Sequence, residues 1–352
     1  MNTDDPEPAL EIRCDGVFLP LEARLDVESV TVLEDLHALS MFTVTLHNWD
    51  SERLAFPWSD SRLFAVGTEV RISLGYGGDL HPVMTGEVTG LEPTFAAGRL
   101  PMLTVRGYDY RHRLARAQQT RTFTRTKDSA IARQLARKAG LRAEVTDTGT
   151  APDYVVQNNQ TDLEFLQKRA RLIGYEVHVR DRVLYFRPPQ HGRRPSATLH
   201  VGDDISEFTP RLSALPQVGR HTVRGWDVAL KKAVVSTVTA GRESTTMRGA
   251  TTGPSQADQA FGRAGTVSTG LPVPNRDRAD QMARGQFDDL ALTYITGEAE
   301  CEGQPRLRAG EVVDIQGAGT VFSGAYYLTS VSHSLTAGDD YRTSLRIRRN
   351  AA

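Results

Sequence analysis

The hydrophobic period of the chain changes twice. Up to about residue 110 it is two. Val30 and Val32 alternate with polar neighbours, as do Phe42, Val44 and Leu46 in MFTVTLHNW. Val70, Ile72 and Leu74 repeat the pattern in GTEVRISLGYGG, and Leu103 and Val105 do so in MLTVRGYD. Gly75, Gly77 and Gly78 punctuate a turn between two such runs. Half-buried strands joined by Gly/Pro turns predict a β-barrel or sandwich. In TKDSAIARQLARKAG the spacing becomes helical, with Ile131, Leu135 and Ala139 four residues apart. Thr126 is the expected N-cap and Gly140 the stop, giving a short helix with a basic outer face.

Residues 155–188, VVQNNQTDLEFLQKRARLIGYEVHVRDRVLYFRP, read as a complete supersecondary unit. Thr161 and Glu164 make a T-x-x-E capping box, in which each side chain satisfies a backbone N–H that the helix start would otherwise orphan. Leu163, Leu166, Ala170 and Ile173 share one face, widened by Phe165 and Leu172. Gly174 ends the helix. Tyr175, Val177 and Val179 alternate as a strand, Arg180-Asp181-Arg182 turn the chain, and Leu184 and Phe186 return. Pro188 and Pro189 stop further pairing. Every apolar residue here is used for packing and every polar one for capping or turning.

After residue 196 period two returns in RHTVRGWD (220–227) and KKAVVSTVT. Residues 240–275, rich in Gly, Ser, Thr and Pro, read as a long loop. Ala279, Ala283, Phe287 and Leu290 predict a helix over 276–292, and EVVDIQG, YYLTSVSH and YRTSLRIR predict closing strands. Two short echoes run through the chain. Val105-Arg106-Gly107-Tyr108-Asp109 recurs as Val223-Arg224-Gly225-Trp226-Asp227. The stretch from Gly67 to Ile72 resembles that from Ala309 to Ile315, with a further glycine, Gly86 or Gly324, on the next strand. Together they point to two related β-domains around a mixed middle. The expected division is an acidic disordered tail over 1–9, a first β-domain over 10–115, an α/β middle over 116–195 and a second β-domain over 196–352. The class is α+β, mainly β.

With 352 residues, 39% hydrophobic and 24% charged, the chain has the composition of an ordinary globular protein of several domains. Its net charge of −1 argues neither for nor against nucleic acid. The distribution is uneven. Residues 1–60 carry thirteen acids against three Arg, whereas 111–142 carry ten Lys/Arg against Asp128 alone. Such asymmetry suits a complementary partner or another copy of the chain, and equally two solvated faces. Cys14 and Cys301 are too few for a disulfide framework and fit a reducing compartment or two unremarkable thiols. The acidic N-terminus is not a secretory signal, and no apolar run reaches the ~18 residues of a membrane span, so folding in the cytoplasm is expected.

A search for chemistry returns no catalytic, cofactor-binding or metal site. G-x-x-x-x-G-K-[ST], H-E-x-x-H and G-x-S-x-G are all missing. Gly317, Gly319 and Gly324 are misplaced for a dinucleotide turn and read as a hairpin turn. The nine His are scattered; His37 and His47 are separated by a strand boundary. Asp203-Asp204 and Asp288-Asp289 are adjacent, so their side chains diverge and do not make an acid/base dyad. The basic stretch 111–142 has aromatics nearby (Tyr108, Tyr110, Phe123) but no reader motif, and a solvated or subunit-facing surface is the favoured reading over a nucleic-acid site.

Residues 155–188 resemble the signature of the phage late control D family, which comprises the baseplate hubs of contractile phage tails and the N-terminal hubs of VgrG-type spikes in type VI secretion. The likeness is carried by Gln157-Asn158-Asn159-Gln160-Thr161-Asp162, Glu164-Phe165-Leu166, Ala170, Gly174-Tyr175 and Leu184-Tyr185-Phe186. Gly86-Glu-Val-Thr-Gly and VRGYD fit the family's first barrel, and VRGWD and the run Phe322 to His333 its second, so the likeness covers roughly 25–347. The resemblance implies two tube-like β-barrels per chain and a homotrimer forming a six-barrel ring. That ring joins a hexameric inner tube to a trimeric spike, among other baseplate components and a cargo effector. It implies no enzyme activity, no cofactor, no nucleic acid and no membrane segment. The protein would assemble in the cytoplasm into a phage tail-like particle, released or extracellular. VgrG-type chains continue into an OB-fold and a needle, whereas this sequence stops at Ala352, so a separate spike polypeptide is expected. A tail-associated cell-wall hydrolase is the alternative, with a nucleic-acid-binding protein behind it.

Overall fold

A computed structural model describes residues 7–227, 230–270, 273, 275–338 and 340–352. The chain opens with β1 (Pro8–Cys14), β2 (Val17–Phe18), the short helix α1 (Leu21–Leu25), β3 (Val27–Asp35) and β4 (Met41–His47). Next come β5 (Glu69–Tyr76), β6 (Asp79–Thr94) and β7 (Met102–Tyr108). The centre holds β8 (Gln118–Thr124), α2 (Asp128–Lys138), β9 (Arg142–Val145), β10 (Tyr154–Thr161), α3 (Asp162–Leu172), β11 (Glu176–Arg180) and β12 (Val183–Arg187). Then follow β13 (Ala197–His200), β14 (Ile205–Leu212), β15 (Arg220–Asp227), β16 (Lys232–Thr239), α4 (Gly253–Phe261), β17 (Gly265–Ser268) and α5 (Arg276–Ala291). The chain closes with β18 (Ile295–Glu302), β19 (Val312–Gln316), α6 (Gly319–Phe322), β20 (Gly324–Thr336) and β21 (Arg342–Arg349). Strand makes up 46% and helix 19%, so the chain is mainly β, as its period-two stretches predict.

Thirteen strands join in one sheet, ordered β14-β18-β21-β20-β3-β4-β7-β6-β5-β1-β2, with β19 on β20 and β13 on β19. The path β3-β4-β7-β6-β5 repeats as β14-β18-β21-β20-β19. Even the irregularities coincide. Bulges fall between Val27 and Ser29 in β3 and between Ile205 and Glu207 in β14. They recur between Val88 and Gly90 in β6 and between Leu328 and Ser330 in β20. At the latter pair the hydrogen bonds match too. Gly67 N donates to Val88 O at 2.8 Å and Val88 N to Thr68 O at 2.9 Å; Gly310 N donates to Leu328 O at 2.8 Å and Leu328 N to Glu311 O at 2.9 Å. Gly67 (φ +96°) and Gly310 (φ +87°) both sit in the left-handed region, where a side chain would strain the turn into the strand.

The Gly67–Ile72 echo is therefore structural. The companion glycines are not: Gly86 pairs with Val70, whereas the strand position matching it is Tyr326, paired with Val313. The VRG-aromatic-Asp echo is not structural either. Val105 lies in β7, which corresponds to β21, whereas Val223 lies in β15, within a separate three-stranded sheet β16-β15-β17. A five-residue strand pattern recurs wherever two faces share the same exposure, and here it does so without equivalence.

The two copies meet through β20 and β3, paired from Ser330↔Asp35 to Thr336↔Ser29. Each has its own core. The first is built on Phe42, Val44, Ile72 and Val105, the second on Ile295, Val313, Leu328 and Leu345. Tyr341 crosses from the second copy into the first core, its ring 5.8 Å from Tyr76.

The largest core belongs to the middle, and it is not confined to 116–195. Phe165, Leu166, Ile173, Leu184 and Phe186 pack with Tyr110, Val223, Val234, Ala279, Met282 and Ala283. The expected boundary at 196 thus gives way to a discontinuous middle: the segment from β15 to α5 is inserted between β14 and β18 and packs on α3. The expected loop over 240–275 also contains structure. Thr252 caps α4 with Pro254 in its first turn, and β17 pairs in parallel with β15. The tail expected over 1–9 gives way at Pro8, where β1 begins against β5; residues 1–6 lie outside the described residues.

The 155–188 unit forms as its sequence dictates. The capping box is present, with Thr161 N donating to Glu164 Oε2 at 2.8 Å and Glu164 N to Thr161 Oγ1 at 3.1 Å. Helix α2 starts differently. Its N-cap is Lys127 rather than Thr126, and Ser129 N is satisfied by Thr148 Oγ1 at 3.2 Å, a cap supplied by tertiary structure.

Candidate functional site: an ionic joint and two open sheet edges

The β11–β12 hairpin reaches the junction of the two copies with its turn, Arg180-Asp181-Arg182. Asp181 and Arg182 take left-handed conformations (φ +49° and +57°), as the two central residues of a tight hairpin turn between Arg180 and Val183 require. Arg182 pairs with Glu69 of the first copy, and Tyr110 donates its hydroxyl to the same carboxylate. Asp181 accepts from Thr85 Oγ1 at 2.9 Å. On the other flank Arg180 Nη2 donates to Ala309 O at 3.0 Å, and its guanidinium lies 3.6 Å from Glu311 and 3.8 Å from Glu34. One turn thus holds both copies.

Glu34 is the centre of the joint. It lies near the end of β3, 8% exposed, and accepts from Arg308 Nε at 3.0 Å and Nη2 at 2.6 Å and from Ala309 N at 2.9 Å. Arg308 also donates to Pro82 O at 3.0 Å, tying β6 into the same cluster. Burial alone would raise the Glu34 pKa, but Arg308, Arg180 and the Ala309 N–H together lower it to about 2. Beneath the hairpin a second buried cluster binds three helices. Asp128 of α2 accepts from Arg169 of α3 at 2.6 Å and from Arg278 of α5 at 2.6 Å. Helices α3 and α5 also touch backbone to backbone: a Cβ on Gly285 would lie 2.5 Å from Ile173 O and 2.6 Å from Gly174 Cα.

A cavity of about 920 Å³ opens between α3, α5 and the second copy. Carboxylates face it, but each is tied. Glu176 accepts from Tyr327 Oη at 2.6 Å and Arg187 Nε at 3.3 Å, and burial pushes its pKa up. Asp280 accepts from Ser236 at 2.5 Å, Asp288 from Ser244 N at 3.0 Å, and Asp289 lies 3.5 Å from Arg348. Each of these acids is thus held by a hydrogen bond or an ion pair within the chain. Asp204 accepts from His200 N, and Gly317, Gly319 and Gly324 form the turn around α6 between β19 and β20. Among the described residues no group of three His, Cys or carboxylates could hold a metal, and no helix is long and apolar enough to cross a membrane.

Six of the ten bases in the stretch 111–142 bond within the chain, while Arg116, Arg125, Arg137 and Arg142 are exposed. Arg111 is fully buried on Asp109, Ser40 and Asp35 O; Arg113 pairs with Glu87, and Arg121 with Asp162. Lys127 meets Asp147 at 2.9 Å, Lys138 meets Asp162 at 3.5 Å, and Arg133 bonds Val145 O.

Among the open strand edges, two belong to the repeated units: β14 ends the sheet's path, and the second half of β6 pairs only with β7 among the described strands. Neither was marked by sequence reasoning. The signals were Pro93 and Pro210, each a proline inside a strand pattern, where it is tolerated only with its nitrogen facing an edge.

The family model described as the Alg8 N-terminal domain matches residues 7–337, nearly the whole chain. The chain belongs to that family. The model that matches is not that of late control D, the family that residues 155–188 resemble; in the structure those residues are caps, turns and core positions of a helix–hairpin unit. Solved structures share the family's fold. A 43 kDa tail protein of prophage MuSo2 from Shewanella oneidensis aligns at TM-score 0.72 and 13% identity, covering 97% of this chain and 98% of its own. A tail protein from Neisseria meningitidis MC58 aligns at 0.69 and 15%, covering 97% and 96%. The Escherichia coli c3393 protein, a type VI secretion component, aligns at 0.61 and 14%, covering 97% of this chain and 77% of its own. No curated protein matches the sequence.

Proposed function

We propose that the chain is the structural baseplate hub of a contractile phage tail-like particle or injection system. Three copies form a ring of six tube-like barrels that adapts a hexameric inner tube to a trimeric spike. The observation that carries this reading is the duplicated five-strand unit with one seam: two equivalent units per chain let a three-fold body present a six-fold face. The ionic joint supports it, because buried charge pairs fix the two units in one relation under load. Other baseplate components and cargo contact the same body, which assembles in the cytoplasm and travels with the particle. The reading is of a protein that joins rather than catalyses, and the tied carboxylates of the cavity favour it over a cell-wall hydrolase. The bonding of Arg111, Arg113, Arg121, Lys127, Arg133 and Lys138 within the chain favours it over nucleic-acid binding. Light scattering on the purified chain, followed by co-sedimentation with the tube and spike proteins of the same particle, tests it. A trimer that binds both is expected; a monomer that binds neither would overturn the assignment.

A further inference from the structure

The internal seam specifies a second, intermolecular one. In β3 the N–H groups of Val30, Val32 and Glu34 face β20, a parity fixed by Leu36 N donating to Thr329 O at 3.1 Å. In β14, which matches β3, Ser213 N donates inward to Tyr294 O, so the backbone groups of Phe208, Pro210 and Leu212 face outward from the sheet's end. In β6, which matches β20, Val88 N points away from β7, and after the bulge so do Leu91, Pro93 and residue 95. The chain thus carries both halves of its own seam again, unpaired.

We propose that β6 of one copy pairs antiparallel with β14 of the next, in the register of the β20–β3 seam. This deepens the hub reading, on which it rests for the existence of an assembly. Transferring the internal register places Leu91 opposite Leu212, Pro93 opposite Pro210 and Phe95 opposite Phe208. All six side chains point to the core face, so apolar meets apolar at each step. Phe95 is 60% exposed in the isolated chain, with an edge contact to Phe56 at 5.0 Å, and this pairing covers it. On the opposite face Glu92, held by Arg106 at 2.8 and 3.1 Å within its own chain, meets exposed Arg211, and like charges do not meet. Shifting the register by one residue would put the aromatic and the leucines on the polar face.

The prolines give this seam a character that the internal one lacks. Where Val32 and His333 face each other inside the chain, Pro210 and Pro93 face each other between chains. Neither has an N–H, so the central pair of ladder hydrogen bonds is missing. A lone chain is thereby protected from indiscriminate edge pairing, and the contact depends on the flanking side chains for its specificity. The contact is head-to-tail, of the kind that closes into a ring.

Disulfide trapping tests the register in the full-length chain. Cys14 and Cys301 are buried, their thiols pushed up to about 12 by burial, so they stay silent. Glu92→Cys with Arg211→Cys should yield covalent multimers ending at trimer, because a non-hydrogen-bonded pair brings Cα atoms to about 4.5 Å. Glu92→Cys with Thr209→Cys, slipped by two residues, should yield at least tenfold less. Leu33→Cys with Ser332→Cys, the equivalent internal pair, should close within one chain and reports that the repeat itself is read correctly. If light scattering shows assembly but the 92/211 pair fails, or the slipped pair traps equally, the seam is wrong while the hub reading stands. If the chain stays monomeric at all concentrations while the internal pair closes, both fall.

Discussion

Removing the Arg308 guanidinium should loosen the whole junction. In Arg308→Met the Glu34 carboxylate keeps the Ala309 N–H and the more distant Arg180, but loses two charge-assisted hydrogen bonds at 3.0 and 2.6 Å. The native environment lowers that carboxyl from 4.5 to about 2, and at 1.36 kcal/mol per pKa unit this corresponds to roughly 3 kcal/mol of stabilisation. A buried pair broken on one side typically loses about 3–5 kcal/mol, so the two routes agree. The folded pKa is depressed, so the contribution is complete above about 4.5 and disappears as pH falls toward about 2. Urea unfolding at pH 7 should therefore separate variant and parent by about 3 kcal/mol, and the gap should narrow steadily below pH 4.5. Pairing the change with Glu34→Gln should recover much of the loss, since no buried charge is then left alone. A single variant within about 0.5 kcal/mol of the parent, or a gap indifferent to pH, would refute the reasoning.

Gly285→Ala should cost about 1–3 kcal/mol, because its Cβ would meet Ile173 O and Gly174 Cα at 2.5 and 2.6 Å with no room to yield; a thermal midpoint equal to the parent's would contradict the backbone contact. His333 is buried against Tyr341 and Thr343, and burial lowers its pKa from 6.5 to about 4. Unfolded chains take up its proton first, so stability present above pH 6.5 should fall toward pH 4, and His333→Gln should flatten that slope in a pH series of melting curves. Pro93→Val combined with Pro210→Val should restore two ladder hydrogen bonds and tighten self-association by about tenfold or more in sedimentation, with no change if these edges do not meet.

Local signals in the sequence were dependable where local physics decides. The capping box at Thr161 and Glu164, the glycine stop at Gly174 and the alternation in β11 and β12 all follow from neighbouring residues. Tertiary decisions were not legible. The cap of α2 comes from Thr148, nineteen residues away in the chain, and no local pattern announces it. The turn Arg180-Asp181-Arg182 read only as a polar reversal, because its partners Glu34, Glu69, Thr85 and Ala309 lie far off in sequence. The repeat was half visible. A glycine in a left-handed turn before a strand leaves a trace at Gly67 and Gly310, but β3 and β14 share register and bulge with almost no shared residues. A single glycine within helical spacing, Gly285, was the trace left by the α3–α5 contact.

The pairing of residues 29–35 with residues 330–336 has a consequence for how the chain comes into being. On a ribosome the β3 edge emerges early and its partner last, so a complete first copy waits with an open strand through most of synthesis. Closing a contact that spans nearly the whole sequence is slow, and an unpaired edge invites the wrong neighbour meanwhile. Until the last strands arrive, the same backbone that will form the seam of the finished molecule is its most vulnerable surface. Chains truncated before β20 should accumulate as aggregates rather than as soluble first copies.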